Sequence, residues 1–386
     1  MRALLWFLTV TILTLESVEL PAQQPPFMGV PFTQSMAPLS RQQSAVPVPN
    51  PQEPGFRLLP HDSGPTQGLW IQPECWYFHT ELLSLRRDRP RTDHFSADQY
   101  AAPDNVVLGT ENLSFNFEPG TQLTLGRSFL GGSASVEFSY FTLLSDWSSA
   151  ASYTDENPYG GLESNLTATF FSDAGASSAA FDTFRGAGRQ TIDYSSALDN
   201  WELNFQKHFR PRLRVSASSL VGLRFIKLDE GFAFVSYNIN ADEVGEYLIA
   251  TENNLLGFQM GGNLAYEISS RAAVGIQAKG ALFVNFSSQN SQLINSDTAS
   301  GYDLPINTGD ITNGDLASVV EVGFFGRFFV TRRIELRIGY DVMLLSGMTL
   351  APEQFDHTIG LTLARKIDSS GRLLAHGVSA GGIVRW

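Results

Sequence analysis

From Trp76 to the last residue, apolar and polar side chains alternate with a period of two. In "LRVSASSLVGLRF", Leu213, Val215, Ala217, Val221, Leu223 and Phe225 share one face, and Arg214, Ser216, Ser218, Gly222 and Arg224 take the other. "NNLLGFQMGGNLAYEI" sets Leu256, Phe258, Met260, Leu264, Tyr266 and Ile268 against Gly257, Gln259, Gly261, Asn263 and Glu267. "RIELRIGYDVML" sets Ile334, Leu336, Ile338, Tyr340, Val342 and Leu344 against Glu335, Arg337, Gly339 and Asp341. This period marks strands with unlike faces. Ten strands are predicted, at 76–87, 119–130, 132–146, 194–210, 212–229, 254–270, 272–288, 315–331, 333–347 and 373–386. Many exceed the roughly five or six residues usual in soluble sheets. They also exceed the roughly nine to eleven that cross a bilayer obliquely.

The connections sharpen the picture. Gly131-Gly132, Arg210-Pro211-Arg212, Ser269-Ser270-Arg271 and Thr331-Arg332-Arg333 read as tight turns. Between those hairpins lie long segments near 88–118, 147–193, 230–253, 289–314 and 348–372, expected as loops. Short and long connections alternate throughout, as in a transmembrane β-barrel with short periplasmic turns and long outer loops. An even strand number returns both chain ends to one side. Closure removes the sheet edges, which lipid requires because it offers the backbone no partners. The expected fold is therefore all-β, a closed antiparallel transmembrane barrel of about ten strands. Twelve is the fallback, if 105–118 and part of 230–240 join the wall; the latter is better read as strand extension above the membrane. Trp386 ends the last alternating strand, where an aromatic ring suits the membrane interface. It also resembles the terminal signal read by the outer-membrane assembly machinery.

Composition agrees with a lipid-contacting chain. Charged residues make up 17% and aromatics 12%, with 28 Phe and 34 Gly. Mean hydropathy is −0.07, too low for a bundle of apolar helices. Arg2 followed by "ALLWFLTVTILTL" reads as a signal peptide over 1–22, with Ala22 before the cut. Residues 23–73, rich in Pro, Gln and Ser, read as a disordered periplasmic linker. Residues 74–386 are then the barrel in the outer membrane of a Gram-negative-type bacterium. The net charge of −13 argues against nucleic acid. Cys75, the sole cysteine, permits no internal disulfide.

Three stretches resemble a known family. "CWYFHTELLSL" (Cys75 to Leu85), "LRIGYDVMLLSGM" (Leu336 to Met348) and "LLAHGVSAGGIVRW" (Leu373 to Trp386) resemble the opening, near-terminal and closing strands of a planctomycete outer-membrane family, the β-barrel porin type seven. The resemblance runs from about Trp76 to Trp386 and implies a porin-like barrel.

If the apolar face meets lipid, the other face lines the lumen. Its charged candidates are Glu202, Arg214, Arg224, Glu267, Lys279, Glu321, Arg327, Glu335 and Arg337. Glu81, Asn200, Asn204, Gln259, Gln277 and Asp341 lie among them. About eight strands enclose only side chains, whereas about sixteen leave a channel. Ten therefore leaves two readings. One is a small hydrophilic pore whose charges set selectivity, with Gly222, Gly257, Gly261, Gly275, Gly323 and Gly339 leaving room. The other is a structural or adhesive barrel plugged by paired charges, acting through its outer loops. An enzyme is not expected. Asp229, Glu230, Asp356 and His357 are the only rim residues suggestive of hydrolysis and read better as solvated. The H-E-x-x-H motif of a zinc hydrolase is absent from the sequence. No metal or cofactor is expected.

Overall fold

The computed structural model describes residues 74–98, 105–155, 161–164, 167–168, 183–184, 186–212, 214–238, 243–296, 306–359 and 367–386. The expected signal peptide and linker lie outside these residues.

Ten strands form the wall. They are β1 (Trp76–Arg87), β2 (Glu118–Phe129), β3 (Ala134–Leu143), β4 (Arg189–Arg212) and β5 (Val215–Asn238). The remainder are β6 (Glu243–Glu267), β7 (Ala272–Ser296), β8 (Ile306–Phe329), β9 (Ile334–Met348) and β10 (Gly371–Arg385). Each pairs antiparallel with the next. β1 also pairs with β10, from Tyr77↔Arg385 to Arg87↔Ala375, so the sheet closes on itself. At this seam Trp76 and Trp386 exchange backbone hydrogen bonds of 3.1 and 3.0 Å. The twelve-strand fallback does not hold. Val106–Gly109 stays out of the wall and pairs with His94–Asp98, which pairs in turn with Leu162–Ser164.

The facing follows the alternation. Phe258 and Leu282 expose 75% and 73% of their surface, and Val221, Phe324, Ile338 and Val378 belong to the same outward band. An apolar belt on this scale needs an apolar solvent. At the turn end, Leu130, Gly131 and Gly132 carry φ of 53°, 64° and 83°. This is the left-handed region that glycine enters without steric penalty.

Two expected loops are mostly strand. β5 and β6 pair as far as Asn238↔Glu243. β7 and β8 pair as far as Leu293↔Ile306. Trp147–Thr154 continues the line of β3 along β4, from Trp147↔Ser196 to Thr154↔Arg189. One side of the wall, from 147–154 round to β8, thus rises as a collar beyond the apolar belt. The opposite side stops earlier, where β9 ends at Met348 and β1 at Arg87.

The collar stands because its polarity is reversed. Along β5 the outward face changes from Val221 and Leu223 to Lys227 and Asp229, which water solvates. The inward face changes from Arg224 to Ile226, Leu228, Phe232 and Phe234, all buried. Segments 94–98, 106–115 and 348–355 pack onto that apolar lining through Phe95, Leu108, Leu113, Phe115, Leu350 and Phe355. The result is a soluble-type core above a membrane-type wall.

Candidate functional site: the barrel interior

Because the wall alternates, even positions of β4 and β5 and odd positions of β6 to β10 point inward. At mid-height four of them form a closed square of alternating charge. Lys279 lies 3.1 Å from Glu202 and 3.6 Å from Glu321. Arg224 lies 2.9 Å from Glu321 and 3.6 Å from Glu202. Glu202 also accepts hydrogen bonds from Asn204 (2.9 Å), Gln259 (2.8 Å) and Asn200 (3.2 Å). Buried charges persist only when paired and hydrogen-bonded this fully.

Toward the turn end the interior opens into a cavity of about 280 Å³. Arg327, Arg337 and Arg385 line it from β8, β9 and β10, with Glu81 and Glu137 on β1 and β3. Glu335, fully buried, takes Arg327 at 3.4 Å and Arg385 at 2.5 Å. Glu81 takes Arg337 at 3.7 Å and His79 at 3.5 Å. The Phe325 ring packs against both Arg327 and Arg337. Glu137 accepts from the Tyr77 hydroxyl at 2.5 Å and from Gln206.

Toward the loop end the interior turns apolar and is filled. Met348, Thr349, Leu350 and Ala351 are completely buried inside the collar. Phe355 packs against Phe95 and Tyr247 at 4.8 Å each, and against Phe234 at 5.8 Å. One carboxylate anchors this insert. Glu230 accepts from Arg87 (2.7 Å), Tyr194 (2.7 Å), Ser196 (3.1 Å) and the Ala351 backbone N–H (2.9 Å). The Arg87 guanidinium sits between the Phe115 and Tyr194 rings, at 5.0 and 4.9 Å. A second anchor is Asn253, which exchanges two 2.8 Å hydrogen bonds with the Thr349 backbone.

This layer stands above the apolar belt, where Arg86, Asp193 and Ser195 face outward to water. Burial works against the Arg87 charge, but Tyr194 and Glu230 beside it hold its pKa above the usual guanidinium value. Burial raises the Tyr194 hydroxyl well above the usual phenol range, and Glu230 adds to the rise although Arg87 opposes it.

Of the nine predicted lumen residues, Glu202, Arg224, Lys279 and Glu321 meet in the square. Arg327, Glu335 and Arg337 belong to the cluster below it. Glu267 faces inward at the turn end, 2.9 Å from Arg210. Arg214 is corrected: it sits exposed in the turn before β5, where a register shift at Val215/Ala217 breaks the alternation. The glycines do not leave room either. A Cβ at Gly222 would strike Asn204, one at Gly323 would strike Asp341, and one at Gly257 the Leu282 carbonyl. They admit neighbouring atoms instead of empty space. Glu230 is not solvated but fully enclosed. Asp229, on the opposite face of the same strand, pairs outward with Lys227 at 2.7 Å, so the two cannot converge. His357 pairs with Asp93 at 3.0 Å. Tyr77, His79, Glu137, His208 and Arg385 also line the cavity. The alternation of β1, β3, β4 and β10 carried that information.

A closed ten-strand ring with an outward apolar belt and a charged interior defines an outer-membrane β-barrel. The chain belongs to the family described as "Putative beta barrel porin-7 (BBP7)", whose model matches residues 88–386. The match begins just after β1, whereas the sequence resemblance extends to Trp76. No curated protein matches the chain. Among solved structures it is similar to the outer membrane protease OmpT from Escherichia coli, at 10% identity and TM-score 0.44, over 82% of this chain and 98% of that one. The translocator domain of the autotransporter NalP from Neisseria meningitidis shares 9% identity at TM-score 0.31, over 82% and 90%. A major outer membrane protein from Thermus thermophilus shares 11% at TM-score 0.26, over 81% and 99%. Likeness at this level carries no information about activity.

Proposed function

We propose that the protein is a non-enzymatic outer-membrane channel for small hydrophilic solutes, held closed here by its own insert. The turn end, with the short hairpins and the C-terminus, faces the periplasm, and the collar faces outward. The observation that carries this reading is the change of the interior along its axis. A charged cavity lies at the turn end, and a dry aromatic core around Phe355 lies at the other. A hydrophilic solute can be solvated by the first and not by the second. Passage therefore needs displacement of segment 348–355.

Single-channel recording on the refolded full chain in a planar bilayer tests this. Wild type is expected to be silent or to open rarely, and Glu230→Ala to conduct in frequent steps. Steady conductance by wild type would remove the insert as the barrier. Silence of both, with heat-modifiable gel mobility proving that both are folded, would favour a plugged barrel acting only through its outer surface. The extent of buried apolar surface around the insert favours that second reading.

A further inference from the structure

The charges lining the cavity are segregated across it. Among the described residues, the lining from β1 to β4 carries Glu81, Glu137 and Glu202 and no lysine or arginine. From β5 to β10 it carries five cations against the two carboxylates Glu321 and Asp341. In a ten-strand ring, β3 and β8 are diametrically opposed, so Glu137 faces the Arg327 wall. The carboxylate that balances Arg327 and Arg385, Glu335, does not line the cavity.

Both poles keep capacity for a ligand. Among the described residues, Arg327 Nε, Arg337 Nε and Arg385 Nη1 find no hydrogen-bond acceptor. The ion pairs of the first two are long, at 3.4 and 3.7 Å. The hydrogen-bond partners of Glu137 are the neutral Tyr77 and Gln206. His79, 7% exposed, also lines the cavity, its Nε2 paired with Glu81 at 3.5 Å but without a hydrogen bond. A volume of about 280 Å³ corresponds to roughly nine waters at about 30 Å³ each, which suits a solute of a few heavy atoms.

We propose that this cavity binds small zwitterions of the amino-acid type, carboxylate toward Arg327, Arg337 and Arg385 and ammonium toward Glu137. A fixed transverse dipole rewards a solute carrying both charges, because each half meets its complement without reorganisation of the wall. A simple anion meets the arginines but also the field of Glu81 and Glu137. A simple cation meets the reverse. The proposal narrows the solute class of the channel read above. Its test reads binding instead of conduction, so the two fail separately.

The test is equilibrium dialysis of the refolded full-length protein in detergent against radiolabelled L-alanine, propionate and ethylammonium. Alanine is expected to bind saturably and about tenfold more tightly than either half-molecule, the size of one charge-assisted hydrogen bond. Glu137→Gln should bring alanine and propionate to within about twofold of each other. Arg385→Gln should weaken alanine and propionate together. Heat-modifiable mobility checks that each variant is folded. Absence of saturable alanine binding by folded wild type overturns the proposal. So does propionate binding as tightly as alanine, or a Glu137→Gln protein with unchanged preference.

Discussion

Arg87 and Glu230, 143 residues apart, form a 2.7 Å ion pair with neither side chain exposed to solvent. The pair ties β1 to β5, and through Glu230 it also holds Tyr194 of β4 and the insert at Ala351. Removing one partner strands the other in an apolar core. Glu230→Ala is therefore expected to cost about 3–5 kcal/mol. The double replacement Arg87→Met/Glu230→Leu is expected to recover most of that. Urea unfolding of the two variants, followed by gel mobility, checks this. Equal losses would mean that the pair stabilises in its own right.

Tyr194 makes the same layer sensitive to alkali. Its hydroxyl pKa is raised by burial. Its stabilising contribution is thus complete below the unfolded phenol value of about 10 and is lost as pH climbs from there toward the folded value. Protease cleavage of the insert should accelerate above about pH 10 in wild type. Tyr194→Phe removes the hydrogen bond to Glu230. That variant should be cut faster at neutral pH and show a flatter alkaline rise. A wild-type rise at the same pH and of the same steepness in both proteins would refute the assignment.

The belt predicts a depth dependence. Val221 and Val235 share the outward face of β5, fourteen positions apart. Val221→Arg is expected to cost about 2–4 kcal/mol near the bilayer midplane, and Val235→Arg, on the collar, about 0–1 kcal/mol. Unfolding from lipid vesicles measures both, and similar costs would mean that the collar lies inside the membrane.

In the charge square, Lys279→Met leaves Glu202 and Glu321 sharing Arg224. It should destabilise by about 3–5 kcal/mol, since a buried charge loses its partner. Adding Glu202→Gln should restore part of the loss. Denaturant midpoints in a double-mutant cycle give the coupling directly. Additive losses would show that the square is not a unit.

Much of the wall was legible in the chain. The alternation through Leu256, Phe258 and Met260, and through Ile334, Leu336 and Ile338, marks one lipid face. The tight turns at Gly131-Gly132 and Ser269–Arg271 fix the strand count, and the observed ring has that count. Parity alone places Glu202, Arg224, Lys279 and Glu321 in the interior. Parity does not tell which of them touch, because partners such as Arg224 and Glu321, 97 residues apart, are brought together only by closure.

What tertiary structure alone decided lies above the belt. There the collar strands keep their period of two but exchange the polarity of their faces, so Phe232 and Phe234 turn inward while Lys227 and Asp229 turn outward. A local pattern cannot announce such an exchange, since burial depends on whether lipid or water stands outside the wall. Segment 348–355, with its single turn at Ala351–Gln354, gains its place from contacts with β5 and β6 together, through Glu230, Phe234, Tyr247 and Asn253. Sequence therefore determined the strands, their number and which face meets lipid. Folding decided that the interior is closed at one end, because only a closed wall creates the apolar cavity that the insert fills.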